Sequence, residues 1–195
     1  YFFDVRPALR RIRVEGMYLD EQELFDLRRS LETIRDIVRF LKAGDGSGQE
    51  TEEENIPYPC LNRLAGDIDV FPQIIARINE ILSPYGKIKD NASPELARIR
   101  RELASTMGSI SRSLNSILRS AQSEGVVDKD VTPTMRDGRL VIPVAPALKR
   151  KIRGIVHDES ASGKTVFIEP AEVVEANNRI RELESDERRE IIRIL

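Results

Sequence analysis

The stretch that decides the fold runs from Arg136 to Pro170: Arg136-Asp-Gly-Arg-Leu-Val-Ile-Pro-Val144, Lys149-Arg-Lys-Ile-Arg153 and Gly154-Ile-Val-His-Asp-Glu-Ser-Ala-Ser-Gly-Lys-Thr-Val-Phe-Ile-Glu-Pro170. β-Branched residues fall here in short runs, Val131 to Arg136, Leu140 to Val144, Gly154 to Val156 and Thr165 to Ile168, with glycines between them. Asp137-Gly138 is a tight-turn dipeptide between the first two runs and predicts a hairpin. Pro133 and Pro143 place these strands at edges or bulges, because proline cannot donate to a ladder.

Outward from this β-rich stretch the period changes to that of helices. On the N-terminal side Ser93-Pro94-Glu95 combines a capping serine, a proline at the first helical position and an early carboxylate. Leu96, Ile99, Leu103, Met107, Ile110, Leu114, Ile117 and Ala121 then recur at spacings of three and four as far as Gly125. That is a helix of about 31 residues, or ~45 Å. On the other side Pro170 opens a second helix with Val173, Ala176, Ile180, Leu183, Ile191 and Leu195 on one face and a gap in the stripe at Glu187. A helix arriving and one leaving run antiparallel, so their stripes can pair as two arms.

Further out, Asp20 and Glu23 form a capping box before Leu24, Leu27, Leu31, Ile34, Ile37, Val38 and Leu41, and Gly44 stops that helix. Gly44 to Ile56 is too polar to pack and reads as a mobile loop. Short helices are expected over Pro59–Gly66 and Phe71–Leu82, then a turn at Ser83–Gly86 and an extended piece at Lys87–Asp90. Tyr1–Tyr18 fits strand and short helix alike. The fold class is thus mainly α with a small β subdomain. Its parts are a helical core at 1–92, an outgoing lever helix at 93–125, a β-rich tip at 126–169 and a returning helix at 170–195.

Composition limits the chemistry. The chain has 195 residues, 40% apolar and 5% aromatic with no tryptophan, so its core rests on Leu, Ile and Val. One cysteine, Cys60, excludes an internal disulfide and fits a reducing, cytoplasmic compartment. No apolar run approaches the ~20 residues of a membrane span, and no signal peptide is visible. A start at Tyr1 and an end inside a helical pattern read as a piece of a longer protein.

Gly163-Lys164-Thr165 mimics the end of a phosphate loop, yet Asp158 holds the place of the required glycine and a strand follows where a helix should. His157 with Asp158, Ser160 and Ser162 reads as a polar turn between strands rather than a hydrolytic triad, which is a matter of spatial roles. No zinc or calcium ligand spacing is present. The cations differ. Between Pro94 and Arg153 there are twelve Arg or Lys against six Asp or Glu, in a chain of net charge −2. Lys149, Arg150, Lys151 and Arg153, with Arg136, Arg139 and Lys164, can neutralise phosphates without reading bases. Charge alone leaves a solvated amphipathic face equally open. Arg98, Arg100, Arg101, Arg112 and Arg119 read as the wet side of the long helix.

The string from Arg136 to Val144, the string from Gly154 to Pro170, the run Val173-Val-Glu-Ala-Asn-Asn-Arg-Ile-Arg-Glu-Leu183 and the Ser93-Pro-Glu-Leu96 start closely resemble the middle region of the second bacterial MutS-like family. These are paralogues of the mismatch-repair protein MutS. The resemblance implies a core, lever and clamp fragment that is not itself an enzyme. In the parent it implies an ATPase using ATP and Mg, and usually a C-terminal Smr nuclease domain. It further implies a homodimer that binds branched or irregular DNA by its backbone, in roles that suppress recombination. In some members it implies rescue of collided ribosomes, which makes a protein- or ribosome-interaction module the alternative reading. Phe167-Ile168-Glu169 spells the mismatch wedge of MutS, but that motif belongs to another domain of MutS. Phe167 is expected to be a buried strand residue.

Overall fold

A computed structural model describes residues 2–42 and 58–195. The stop at Gly44 and the polar stretch Gly44–Ile56 lie outside the described residues. The architecture is mainly α with one small antiparallel sheet. Chain contacts divide it into two units: the described residues up to Ser93 together with Ile191–Leu195, and Pro94–Glu190.

In the first unit, α1 (Arg6–Arg11) settles the ambiguous N-terminal stretch as a short helix that buries none of its residues. α2 (Glu21–Lys42) begins with the expected capping box. The Asp20 carboxylate accepts from the Glu23 N–H at 2.8 Å, and the Glu23 carboxylate accepts from the Asp20 N–H at 3.0 Å. α3 (Pro59–Ala65) and α4 (Pro72–Ile81) each start on a proline and pack against α2. Arg28 of α2 is buried at that junction, where its guanidinium donates to Asn79 and to the carbonyls of Ser83 and Pro84. It thereby holds the turn closed by the Gly86 N–H on the Ser83 carbonyl.

The second unit is built on α5 (Pro94–Ser123), whose Leu96, Ile99, Ile110, Leu114, Leu118 and Ala121 are buried. After it come β1 (Thr134–Arg136), β2 (Arg139–Val144), β3 (Gly154–Glu159) and β4 (Val166–Pro170), in sheet order β1-β2-β4-β3. Asp137 and Gly138 both have positive φ, 47° and 73°, which is the turn an Asp-Gly hairpin demands. Pro143 lies on an interior strand, but β1 pairs only with Arg139–Val141, so proline sits past the neighbour's reach. Ile142, Val144, Val166 and Ile168 share one face of the sheet and join Ile110, Leu114, Leu118 and Ala121 in a single core. The sheet therefore packs along the C-terminal half of α5.

Pro170 does not open the final helix. It ends β4 opposite Gly154, and one 3-10 turn, Ala171–Val173, precedes α6 (Val174–Ile194). Proline is tolerated at a strand end, where a missing N–H breaks no further ladder bond. α5 and α6 run antiparallel, as their cross-helix pairs show: Arg100 donates to Glu187 at 2.7 Å and Arg179 to Glu102 at 2.7 Å. The gap in the α6 stripe at Glu187 is thus the place where the helix exchanges an apolar contact for an ionic one. Ile180 and Leu183, which lie between these two pairs along α6, remain buried.

Gly154 marks the tightest approach of β3 to β4, because a Cβ there would lie 2.1 Å from the Glu169 carbonyl oxygen. Backbone atoms cannot yield as a flexible side-chain tip can, so Gly154→Ala is expected to cost about 3 kcal/mol. In thermal denaturation followed by circular dichroism the midpoint should fall by roughly 6–12 °C. A change within error would contradict this packing.

Candidate functional site

The cationic run is presented by the connection from β2 to β3. Pro146 starts a 3-10 turn that ends at Lys151, and Ile152 follows it into the core at 7% exposure. Leu148 also packs against that core. With Ile152 as its root, the segment turns Lys149, Arg150, Lys151 and Arg153 outward, and all four are exposed. Among the described residues, no carboxylate forms an ion pair with any of them. Arg98, by contrast, is engaged by Glu95 and Glu102 along its own helix.

The other three sequence candidates stand on other elements. Lys164 lies in the loop from β3 to β4, at the far end of those strands from Arg153. In that loop the Gly163 N–H donates to Ser160 at 2.7 Å and the Ser160 hydroxyl accepts from the Thr165 N–H at 3.0 Å. This is hairpin geometry, with β4 following it, and it confirms that Gly163-Lys164-Thr165 is not a phosphate loop. Arg136 is exposed and lies 4.2 Å above the ring of Phe167. Phe167 itself is 6% exposed, a buried strand residue as expected. Arg139 is turned inward with its side chain 16% exposed, donating to Glu169 at 2.7 Å and to Asn178 at 2.7 Å.

Arg139 leads to a cluster the sequence reading did not anticipate. Glu169 has no exposure to water, and its carboxylate accepts from Arg139 and from Asn177, each at 2.7 Å, and from His157 Nε2. Asn177 in turn meets the Leu140 N–H and carbonyl at 3.4 and 3.3 Å. His157 is not in a turn. It lies in β3 at a bulge, where Val156 faces Ile168 and Asp158 faces Phe167, so that the extra residue is free to aim its ring at Glu169. Burial pushes the Glu169 carboxyl up, but the bonds from His157, Asn177 and Arg139, with the guanidinium charge, outweigh it and hold the group below the ordinary carboxylate range. One signal was available in the sequence: a lone glutamate inside the apolar run Val166-Phe-Ile-Glu-Pro must find partners if the strand is buried.

The cluster ties β2, β3 and β4 to α6. Ser160 and Ser162 face each other across 3.4 Å and neither touches His157. Among the described residues no three His, Cys, Asp or Glu side chains gather closely enough to hold a metal ion, and no helix is long and apolar enough to cross a membrane. Cys60 is a free, exposed thiol.

No protein-family profile matches the chain. Curated relatives do match it along nearly all its length. Proteins named Endonuclease MutS2 are 38% identical over 192 residues in Pelotomaculum thermopropionicum, 35% over 193 in a Geobacillus species and 41% over 184 in Finegoldia magna. These alignments cover 98%, 99% and 93% of this chain. The chain spans about a quarter of the length of these relatives, 23%, 24% and 22%.

The Glu169 cluster has a pH signature. A carboxyl held below its unfolded value stabilises the fold fully above that value, about 4.3, and loses the contribution as pH falls through the folded value. Glu169→Gln is expected to cost about 2 kcal/mol at pH 7, since it weakens a buried charge-assisted network. The gap in thermal midpoint between wild type and variant should narrow as the pH is lowered from 7 to 3. A gap that stays constant over that range would contradict a folded-state value held below the unfolded one.

Proposed function

We propose, taking the chain as a segment of the MutS2-like family, that its second unit holds DNA by the sugar–phosphate backbone without reading sequence. The observation that carries this is the run Lys149, Arg150, Lys151 and Arg153: four exposed cations, rooted by buried Ile152, with no ion pair among the described residues. Cations already satisfied by protein carboxylates gain little from a phosphate, whereas unengaged ones release counterions when they bind it. Arg136 extends the cationic character from the β1–β2 turn. Arg139 serves the same surface indirectly, by fixing the hairpin to Glu169 and Asn178.

In this reading α5 and α6 are levers. α5 has 30 residues, about 45 Å of helix, and a tilt of about 10° would move its end by roughly 8 Å. The Glu169 cluster gives such a movement a rigid path, because it joins β2, β3 and β4 to the first turns of α6. ATP with Mg, the pairing of two protomers and any nuclease step belong, on this view, to parts of the cytoplasmic parent protein outside these residues.

Replacing Lys149, Arg150, Lys151 and Arg153 by Glu in the full-length protein should weaken duplex binding. Each lost phosphate contact should flatten the dependence of log affinity on log salt by about 0.9, roughly 3 to 4 in all. Helix content should not change. Unaltered affinity and slope would remove the backbone-holding role, and would favour an apolar protein or ribosome contact if such a contact survives moderate salt.

A further inference from the structure

Beside the cationic run lies a cleft of about 280 Å³ between the end of α5 and the β2–β3 connection. Its floor is aliphatic, made by Ile117, Ala121, Val126 and Ile152, of which the last three are buried. Its rim is charged with both signs: Lys151 and Arg153, already placed in the phosphate-binding run, and the carboxylates of Glu124 and Glu172. Among the described residues these opposite charges form no ion pair with one another. Ser120, at the mouth, donates its hydroxyl to Glu124 at 3.1 Å, which steadies that carboxylate.

An apolar floor with a few convergent polar groups is the make-up of a small-molecule site, and this volume is just under the ~300 Å³ at which such sites take drug-sized ligands. It suits one flat heterocycle. A ligand that satisfies both signs of the rim carries anionic groups for Lys151 and Arg153 and N–H donors for Glu124 and Glu172. A nucleotide within a strand has that pattern: phosphates on either side, and on most bases an amino group. A paired base has its amino edge occupied and its faces stacked, so only an unpaired one can turn into the cleft, at an unstacking cost that is least where the base is already single-stranded.

We infer that this cleft receives a single unpaired nucleobase from the strand whose phosphates rest on Lys151 and Arg153, its aliphatic floor taking the face of the base and Glu124 and Glu172 accepting from its amino edge. The site therefore favours amino-bearing bases over thymine. The inference rests on the backbone-holding reading above and deepens it, since it makes unpaired nucleotides, and not duplex alone, the preferred ligand of that surface.

The test is fluorescence anisotropy with the full-length protein on three probes: blunt duplex, and the same duplex with a short single-stranded overhang of dC or of dT. Wild type is expected to bind the dC overhang roughly tenfold more tightly than blunt duplex, with dT between. Ser120→Trp should fill the mouth and bring both overhangs to the duplex value, leaving duplex affinity within about twofold. The double variant E124Q/E172Q, which leaves the floor open and adds no bulk, should abolish the preference of dC over dT and keep a gain for both over blunt duplex. Retention of the overhang preference in Ser120→Trp, or of the dC preference in the double variant, would overturn the cleft. Salt-dependent binding of duplex with no gain from either overhang would remove the cleft alone. Absence of salt-dependent binding to all three probes would remove the backbone-holding reading and the cleft with it.

Discussion

A carboxylate sealed from water stays charged only if the protein replaces every bond that water gave it, and Glu169 imposes that constraint on the second unit. Its three partners come from three elements: Arg139 from β2, His157 from β3 and Asn177 from α6. A slip of β4 by one residue would turn Glu169 into the aliphatic core shared with α5 and leave the guanidinium of Arg139 without its counterion, a loss that breaking a buried pair makes large. The register of the sheet and its attachment to α6 are therefore set together. That is a role in specificity more than in net stability, since a buried ion pair is often no more stabilising than an apolar substitute.

The same arrangement explains why β4 is buried along its whole length. One face, Val166 and Ile168, lies in the core with α5, while the other, Phe167 and Glu169, is closed by Arg136 and by the polar cluster. Two of the seven cations read from the sequence thus have structural duties, and this sharpens the functional surface. Arg136 and Lys164 also face water, but four of the seven stand on the β2–β3 connection, whose anchor is apolar. Ile152 supplies the hold that an ion pair would otherwise have to give.

Local chemistry was legible in the residues. The Asp20–Glu23 box, the Asp137-Gly138 turn and the stripe of α5 each depend on neighbours within a turn or two, so pattern alone revealed them. Glu187 was legible as a gap in a stripe, though not as a partner of Arg100, because the pairing joins residues 87 positions apart on two helices set against each other. The reading of Arg139 as a surface cation failed to anticipate its inward turn for the same reason: Glu169 and Asn178 lie 30 and 39 positions away. His157 was hidden by a bulge, which breaks the alternation by which strand faces are read. Pro170 read as a helix start because proline ends strands and begins helices alike, and only the pairing with Gly154 decides between them.

In the proposed function an apolar-rooted cationic connection meets the DNA backbone, and the Glu169 cluster ties the strands on either side of it to α6. Hydrogen exchange of the full-length protein with and without DNA tests this most directly. New protection should appear over 146–153, with the strands around Glu169 already slow in the free protein and unchanged on binding. Protection that appears only in the first unit, with 146–153 exchanging at its free rate, would contradict the proposed role.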